Sequence, residues 1–112
     1  MNINYYRITG KIADTLTGEG LKHVRIKFWD KYLVFEDCIG ECHSDEKGKY
    51  EILILQDSID PVLQERNPQI FVELYLGRSL LYSNRFGKLL HLQEGLNLKN
   101  FEISLSDHLR IS

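Results

Sequence analysis

The chain has little of several features that would mark a specialised class of protein. Its 112 residues include only two cysteines and two prolines, and 14 basic side chains are outnumbered by 16 acidic ones. Two cysteines are too few for the framework of a disulfide-rich secreted domain. A net charge of −2 supplies none of the positive field that sequence-independent nucleic-acid binding requires. The composition therefore predicts no nucleic-acid partner.

Long apolar runs are missing as well. No window approaches the roughly 20 apolar residues of a membrane-spanning helix, and the opening MNINYYRITGK has no apolar segment of signal-peptide length. We therefore expect no membrane insertion and a cytoplasmic location, with export by or with a secretion apparatus as the alternative. In a reducing compartment the two cysteines are expected to be thiols. A chain of this length can bury one core, which predicts a single domain over 1–112.

The sequence does contain repeated alternation of apolar and polar residues. Val24, Ile26 and Phe28, for example, alternate with Arg25 and Lys27, the period of two of a half-buried strand. Turn residues separate such segments at short intervals, and helix is limited to at most one short turn after residue 60. The pattern predicts an all-β fold, a seven-stranded two-layer β-sandwich. Six strands are delimited by alternation, Tyr6–Ile12, His23–Asp30, Lys49–Leu55, Gln69–Leu76, Ser79–Ser83 and Asn100–Ser106, and Phe86–Gln93 is ambiguous between a further strand and a short helix.

Turns and strands also follow one another in a particular order in the first half of the chain. The order comprises Asp14, the Thr17-Gly18 turn, Val24-x-Ile26-x-x-Trp29-Asp30, Glu36-Asp37-x-Ile39-Gly40, and Ser44-Asp45-x-x-Gly48-x-Tyr50. From about Ile8 to Ile54 this order resembles that of the transthyretin-like and carboxypeptidase-regulatory-like β-sandwich domains. Such domains occur as accessory modules of larger proteins, including carboxypeptidases and bacterial surface or secretion assemblies. The resemblance therefore implies a structural or interaction role without chemistry.

One enzyme, the hydroxyisourate hydrolase related to transthyretin, has this fold. The resemblance would require a histidine just before the Asp of the first strand, a central arginine, a histidine in the last strand and a final Tyr-Arg-Gly-Ser. Here Lys11-Ile12-Ala13 precede Asp14, the last predicted strand begins Asn100-Phe101, and the chain ends His108-Leu-Arg-Ile-Ser. No glycine-framed serine nucleophile is present either. We expect no enzyme, and a hydrolase remains the lesser alternative.

Reactive side chains are concentrated in Glu36–Gly48, EDCIGECHSDEKG. Cys38, Cys42 and His43 have the spacing C-x3-C-H, whereas covalent haem attachment uses C-x-x-C-H. The same three residues, with His23 or Asp45 as a fourth ligand, could hold zinc, but C-x2-C pairs and a second ligand pair are missing. We expect no cofactor, and a metal-binding or thiol-regulated site at Cys38, Cys42 and His43 is the alternative function.

Two further hypotheses concern the same segment. A disulfide between Cys38 and Cys42 needs their Cα atoms within about 7 Å, and we expect instead a small buried thiol at Cys42 and a loop thiol at Cys38. Calcium would need several converging carboxylates, and the ammonium of Lys31 opposes a divalent ion there. We expect solvated turn carboxylates. The acidic residues are Asp30, Glu36, Asp37, Glu41, Asp45 and Glu46.

The segment Lys31–Phe35, KYLVF, contains more consecutive apolar residues than one face of a strand can bury. In one interpretation it crosses the open end of the sandwich and plugs the core. In the other it joins outward-facing aromatic residues in an exposed patch for a protein partner. We predict a non-enzymatic protein-binding or scaffolding module, with a protein partner or a second copy bound through edge strands. The predicted partner-binding residues are Trp29, Tyr32, Leu33, Val34, Phe35 and Tyr75.

Overall fold

The computed structural model describes residues 5–32, 35–55, 69–93 and 95–105, with the backbone alone at 32 and 35–37. These residues form nine β-strands in two sheets, so the predicted all-β sandwich is confirmed. Among them no helix is long and apolar enough to span a membrane. The strands are β1 Tyr5–Asp14, β2 Arg25–Tyr32, β3 Phe35–His43, β4 Lys49–Leu55, β5 Gln69–Leu76, β6 Ser79–Ser83, β7 Leu90–His91, β8 Gly95–Leu98 and β9 Phe101–Ile103.

The strand count of nine differs from the predicted seven because two edge positions are each shared by two short strands. In the four-stranded sheet, ordered β4-β1-β8, both β8 and β9 run parallel to β1. In the five-stranded sheet, ordered β3-β2-β5-β6, both β6 and β7 pair with β5. Each of these two edge positions is thus occupied by two successive strands instead of one, which raises the count from seven to nine. The predicted helical turn after residue 60 lies outside the described residues.

The core lies between the two sheets and follows from the alternation in the sequence. In β4 every second side chain is buried, and β1, β2 and β5 contribute in the same way. Burial of this apolar surface is the main favourable term in folding, worth about 25 cal/mol per Å². The buried apolar cluster consists of Tyr6, Ile8, Ile12, Val24, Ile26, Phe28, Tyr50, Ile52, Ile54, Ile70, Val72, Leu74, Leu81, Leu92, Phe101 and Ile103.

At the break between β8 and β9 the backbone comes unusually close to β1. Gly10 lies where the Lys99 carbonyl turns inward, and a Cβ on Gly10 would stand only 1.9 Å from that oxygen. The side-chain carbonyl of Asn100 accepts a hydrogen bond from the Lys11 N–H at 2.9 Å. Glycine therefore permits the approach, and a side-chain amide replaces one ladder contact at the break.

The break between β6 and β7 is filled by a buried asparagine. Asn84 is 6% exposed, and its Oδ1 accepts a hydrogen bond from the Val72 N–H at 2.7 Å. Its Nδ2 donates to the Lys88 carbonyl at 3.0 Å, which fixes the loop that follows. A side chain thus supplies the acceptor that an unbroken edge strand would have supplied from its backbone.

The turn between β3 and β4 is closed by an aspartate and a glycine. Oδ1 of Asp45 accepts hydrogen bonds from the N–H groups of Lys47 and Lys49, at 2.8 and 2.9 Å. Those backbone donors favour the ionised carboxylate and lower the pKa of Asp45. Gly48 has φ 80°, and Tyr50 then enters the core and donates its hydroxyl to the Lys99 carbonyl at 2.6 Å.

The other half of the Glu36–Gly48 segment is a strand and not a second turn, which corrects the sequence interpretation. β3 pairs antiparallel with β2, and Tyr32 lies opposite Phe35, so both ends of Lys31–Phe35 belong to paired strands, while Leu33 and Val34 lie outside the described residues. Two of the three acidic residues of β3 lie opposite basic ones, Glu41 opposite Lys27 and Glu36 opposite Lys31, whereas Asp37 lies opposite Asp30. Opposite charges on neighbouring strands support the pairing.

Candidate functional site

The two cysteines lie on opposite faces of the five-stranded sheet. Cys42 is opposite Ile26 and packs against the core, whereas Cys38 is opposite Trp29 on the outer face and is exposed. A β-bulge at Ile39, opposite the Phe28/Trp29 step, puts the two cysteines on different faces. Burial raises the pKa of Cys42 to about 11. Cys42 is therefore a half-buried thiol packed against the core, less buried than predicted, and Cys38 is a strand thiol where a loop was expected.

This arrangement does not bring the predicted metal ligands together. Cys42 lies four residue steps beyond Cys38, which in an extended strand is roughly 13 Å before the bulge shortens the distance, and both are free thiols. His43 follows Cys42 directly and is exposed on the opposite face, so the two side chains diverge. Among the described residues, no three His, Cys, Asp or Glu side chains are placed to hold a metal ion.

The acidic residues proposed for calcium have separate local roles where their side chains are described. Asp45 closes the β3–β4 turn, and Glu46 lies 3.5 Å from Nε2 of His23. Glu41 lies 3.7 Å from Nε of Arg25 on the neighbouring strand. Asp30 is buried at 5% exposure. These carboxylates serve a turn and two surface ion pairs, so they do not converge on one point.

The difference between the two thiols can be tested by alkylation. At pH 8 a thiol with a pKa near 11 is about one part in a thousand thiolate, and the Cys42 thiol is also covered by the core. We expect iodoacetamide to add one label to the native protein, at Cys38, and two labels in denaturant, counted by peptide mass spectrometry. Rapid native labelling of Cys42 would contradict its burial, and the Cys38→Ala variant is the control.

An aromatic pair lies on the outer face of the five-stranded sheet. The Trp29 ring stacks on Phe71 from the neighbouring strand, with centroids 5.9 Å apart and planes 4° from parallel. Phe71 is 1% exposed although it lies outside the main core cluster, because Trp29 and the Arg85 guanidinium cover it. Trp29 itself is half-buried. This sheet therefore has a second, smaller apolar layer on its outer side.

The loop between β6 and β7 extends this layer. Phe86 is 88% exposed, the most exposed of the large apolar side chains of the described residues. The Arg85 guanidinium lies 5.1 Å and the Lys31 ammonium 5.6 Å from the centroid of its ring. The ammonium also donates to the Arg85 carbonyl at 3.3 Å, which holds the loop against β2. The result is an accessible ring flanked by two cations.

At the other end of the same face lies Tyr75, also half-buried. The Arg25 guanidinium stands 4.9 Å from the centroid of its ring. The pKa of the Tyr75 hydroxyl is raised, mainly by desolvation and secondly by the neighbouring carboxylate of Glu73. Lys27, between the two ends, lies 5.7 Å from the Trp29 ring. We call this surface the basic aromatic face: Arg25, Lys27, Trp29, Lys31, Phe71, Tyr75, Arg85 and Phe86.

Of the predicted partner-binding residues, the structure places Trp29 and Tyr75 on this one face. Tyr32 and Phe35 form the end of the β2–β3 hairpin, described by backbone only, and Leu33 and Val34 lie outside the described residues. Sequence reasoning missed Phe71, because the run Ile70-Phe71-Val72 hides which residue points outward. It missed Phe86 because an aromatic residue within SNRFGK has no alternation to place it.

Comparisons with known proteins bear on the fold. No protein-family model and no curated protein sequence matches the chain. Among solved structures, a protein from Bacteroides uniformis to which carbohydrate binding is ascribed matches 87% of this chain at TM-score 0.57 and 17% identity. A 3-chlorocatechol 1,2-dioxygenase from Rhodococcus opacus matches 91% at TM-score 0.51 and 12% identity. A 9R-lipoxygenase from Cyanothece matches 88% at TM-score 0.50 and 15% identity.

These similarities extend over only part of each neighbour. The chain spans 40% of the Bacteroides protein, 60% of the dioxygenase and 15% of the lipoxygenase. The three neighbours have different functions, and identities this low show a shared fold only. The comparisons thus define an all-β sandwich that recurs as one part of longer proteins.

Proposed function

We propose that this chain is a non-enzymatic protein-binding module and that the basic aromatic face is its binding surface. The observation that carries the proposal is Phe86, a large ring 88% exposed and flanked by the cations of Lys31 and Arg85. The ring adjoins the Trp29–Phe71 layer through the Arg85 guanidinium, and aromatic residues and arginine are enriched where proteins bind one another.

The charge of the face indicates the kind of partner. Among the described side chains it carries four cations, Arg25, Lys27, Lys31 and Arg85, and two carboxylates, Glu41 and Glu73, both opposite Lys27, whereas the chain as a whole has a net charge of −2. Basic groups gathered on one face of an acidic protein attract an acidic segment and orient it. The partner we propose is an acidic polypeptide. One of its apolar side chains would pack against Phe86, and its carboxylates on either side would face Lys31 and Arg85.

The kinship we propose for the domain is with transthyretin-like accessory modules. The Asp45–Gly48 turn and the entry of Tyr50 into the core match the pattern that suggested the resemblance. A module of this kind would serve as an accessory component of a larger assembly, such as a bacterial surface or secretion apparatus. The recurrence of the fold as a part of longer proteins supports this role.

The proposal can be tested by photo-crosslinking in the native host. A benzophenone amino acid at position 86 is expected to give discrete covalent adducts with an acidic protein. The matched control is the same amino acid at Leu16, which is 79% exposed in the turn after β1 and away from this face. Adducts shared by both positions, or none at position 86, would contradict the proposal.

The captured partner is then measured against variants of the purified chain. Phe86→Ala and Lys31→Glu should each weaken binding about tenfold, as expected for loss of an interface anchor or of charge complementarity. Leu16→Ala should bind like the wild type. A glycan array with the same variants tests for a carbohydrate ligand instead. If the wild type binds a sugar and Phe86→Ala does not, the ligand of this face is a carbohydrate and the protein-partner proposal is wrong.

A further inference from the structure

The outer face of the four-stranded sheet has a hollow at the break between β8 and β9. Its volume is about 630 Å³, and small-molecule sites in proteins measure roughly 300–1,000 Å³. Residues from neighbouring strands line it, among them Thr9 and Lys11 of β1, Lys49 and Glu51 of β4, and Leu98 and Asn100 on either side of the break. The hollow therefore has the size of a ligand site and is built from regular strands.

Two lysines face each other across this hollow. Lys11 lies directly opposite Lys49 on the neighbouring strand, and both side chains are exposed. The Lys11 N–H points away from β4, because it donates to Oδ1 of Asn100 at 2.9 Å. The two lysines are thus a non-hydrogen-bonded pair, the kind in which facing side chains lie closer, with Cα atoms about 4.5 Å apart. Like charges directly opposite each other destabilise a strand pair, so this position favours an anion between the two ammonium groups.

The carboxylates that line the hollow do not supply this anion. Oε2 of Glu51 lies 2.9 Å from Nη2 of Arg7, which holds it in an ion pair. Oδ1 of Asp45 accepts two backbone N–H groups of its own turn, and its charge acts on the Lys49 ammonium without forming an ion pair. Among the described side chains, neither Lys11 nor Lys49 forms an ion pair with a carboxylate. Both ammonium groups are therefore available to a ligand.

The rest of the lining indicates what else the ligand must carry. Leu98 is 67% exposed and supplies an apolar wall. The Thr9 hydroxyl and the Nδ2 group of Asn100 add hydrogen-bond donors, since Oδ1 of Asn100 already accepts from the backbone. Ammonium and amide donors bind carboxylate and phosphate oxygens. The lining thus combines donors for an oxyanion with a leucine for an apolar body.

We propose that this hollow binds a small organic oxyanion, a carboxylate or a phosphate ester. Its charged group lies between Lys11 and Lys49, and its apolar body packs against Leu98. The site is on the sheet opposite the basic aromatic face, and it takes a small molecule in place of a protein. It therefore goes beyond the protein-binding role proposed above, and either proposal can fail without affecting the other.

The first test is a titration of the isotopically labelled chain followed by amide chemical shifts in NMR. Phenyl phosphate and benzoate are added in separate series, so the tighter of the two identifies the class of anion. We expect saturable shifts centred on Lys11, Lys49 and Asn100, with a dissociation constant of about 1 mM or below. Shifts that do not saturate with either compound, or that are equally large at lysines elsewhere on the chain, would overturn the proposal.

The second test removes one charge at a time. Lys11→Gln and Lys49→Gln should each raise the dissociation constant of the tighter compound about tenfold, as expected for loss of one charge-assisted contact. The matched control is Lys88→Gln, in the exposed loop between β6 and β7 of the other sheet, which should bind like the wild type. Each hollow variant should melt no lower than the wild type, because it also removes a like-charge contact. Binding that survives both substitutions contradicts the site.

The third test separates an organic ligand from a bare anion. Phenyl phosphate is compared with inorganic phosphate, and benzoate with acetate. The wild type should bind the aromatic member of the tighter pair at least threefold more strongly than its small analogue, and Leu98→Ala should reduce this difference while binding the small analogue unchanged. Equal affinity of the wild type for both members would mean that the hollow attracts adventitious anions only, and the proposal would be wrong.

Discussion

Replacing Gly48 by alanine is expected to lower the free energy of unfolding by about 3–4 kcal/mol. Gly48 has φ 80°, and a Cβ there would lie 2.5 Å from the Ile12 carbonyl oxygen and 2.7 Å from the Cα of Gly20. The left-handed backbone costs a residue with a Cβ about 1–2 kcal/mol, and overpacking against backbone atoms adds about 1–3 kcal/mol. Urea denaturation of the variant and the wild type measures the difference.

Gly18 provides a matched control for this substitution. It has a similar φ of 74°, but no heavy atom lies within 4 Å of the Cβ position. Gly18→Ala should therefore carry only the conformational cost, about 1 kcal/mol. Equal losses at the two positions would mean that the close approach of the β3–β4 turn to β1 contributes nothing to stability.

The second large effect is expected at Asn84, where alanine should cost about 2–4 kcal/mol. The substitution leaves the Val72 N–H without the acceptor that it has at 2.7 Å and removes the donor to the Lys88 carbonyl. A buried donor without a partner costs about 1–3 kcal/mol, and the void left by the amide adds to that. Thermal unfolding gives the size of the loss, and amide hydrogen exchange should show faster exchange at Val72.

Asn100 is the control for the chemistry of the side chain. Its Oδ1 also accepts a backbone hydrogen bond, from Lys11, but the residue is exposed, so water can replace the contact. We expect Asn100→Ala to cost under about 1 kcal/mol. If both asparagines proved equally dispensable, the interpretation of Asn84 as a substitute for an edge strand would be wrong.

The strands that the sequence identified best are those with one buried face. Lys49–Leu55, Gln69–Leu76 and Ser79–Ser83 were predicted with the bounds that the structure has. β1 and β2 were found with ends shifted by one to two residues, and the last strand is shorter than expected because it ends at Ile103. In most of these, core contacts enforce an alternation that is visible in the sequence, and β5 departs from it only at Phe71, which is buried on the outer face.

Besides the two-residue β7, which lies within the ambiguous Phe86–Gln93, two strands were missed for opposite reasons. β3 contains acids, a glycine and a thiol that suggested turns, but it pairs along its length with β2, the strand that directly precedes it, and two of its acids lie opposite lysines there. In β8 the alternation is inverted: Asn97 is buried at 5% exposure, while Leu96 and Leu98 point outward. The amide of Asn97 bonds to the backbone of Gln93, so a polar residue can point inward.

The candidate site was predictable only in part. Alternation indicated that Trp29 and Tyr75 face outward, and the structure places both on the outer face of the five-stranded sheet. The register that sets Trp29 against Phe71, and the loop that brings Phe86 to Lys31, depend on contacts between distant parts of the chain. Their binding role stays a prediction.

The two broken edges have a consequence for how this domain can meet other chains. An added strand grows on a sheet only where a row of backbone donors and acceptors continues without interruption, as in amyloid or in swapped dimers. The breaks at Asn84 and at Lys99 divide two edges into segments of two to five residues, too short to template a long partner strand. The domain can therefore expose the leucines of β8 on its surface while the edge that holds them resists strand-by-strand aggregation.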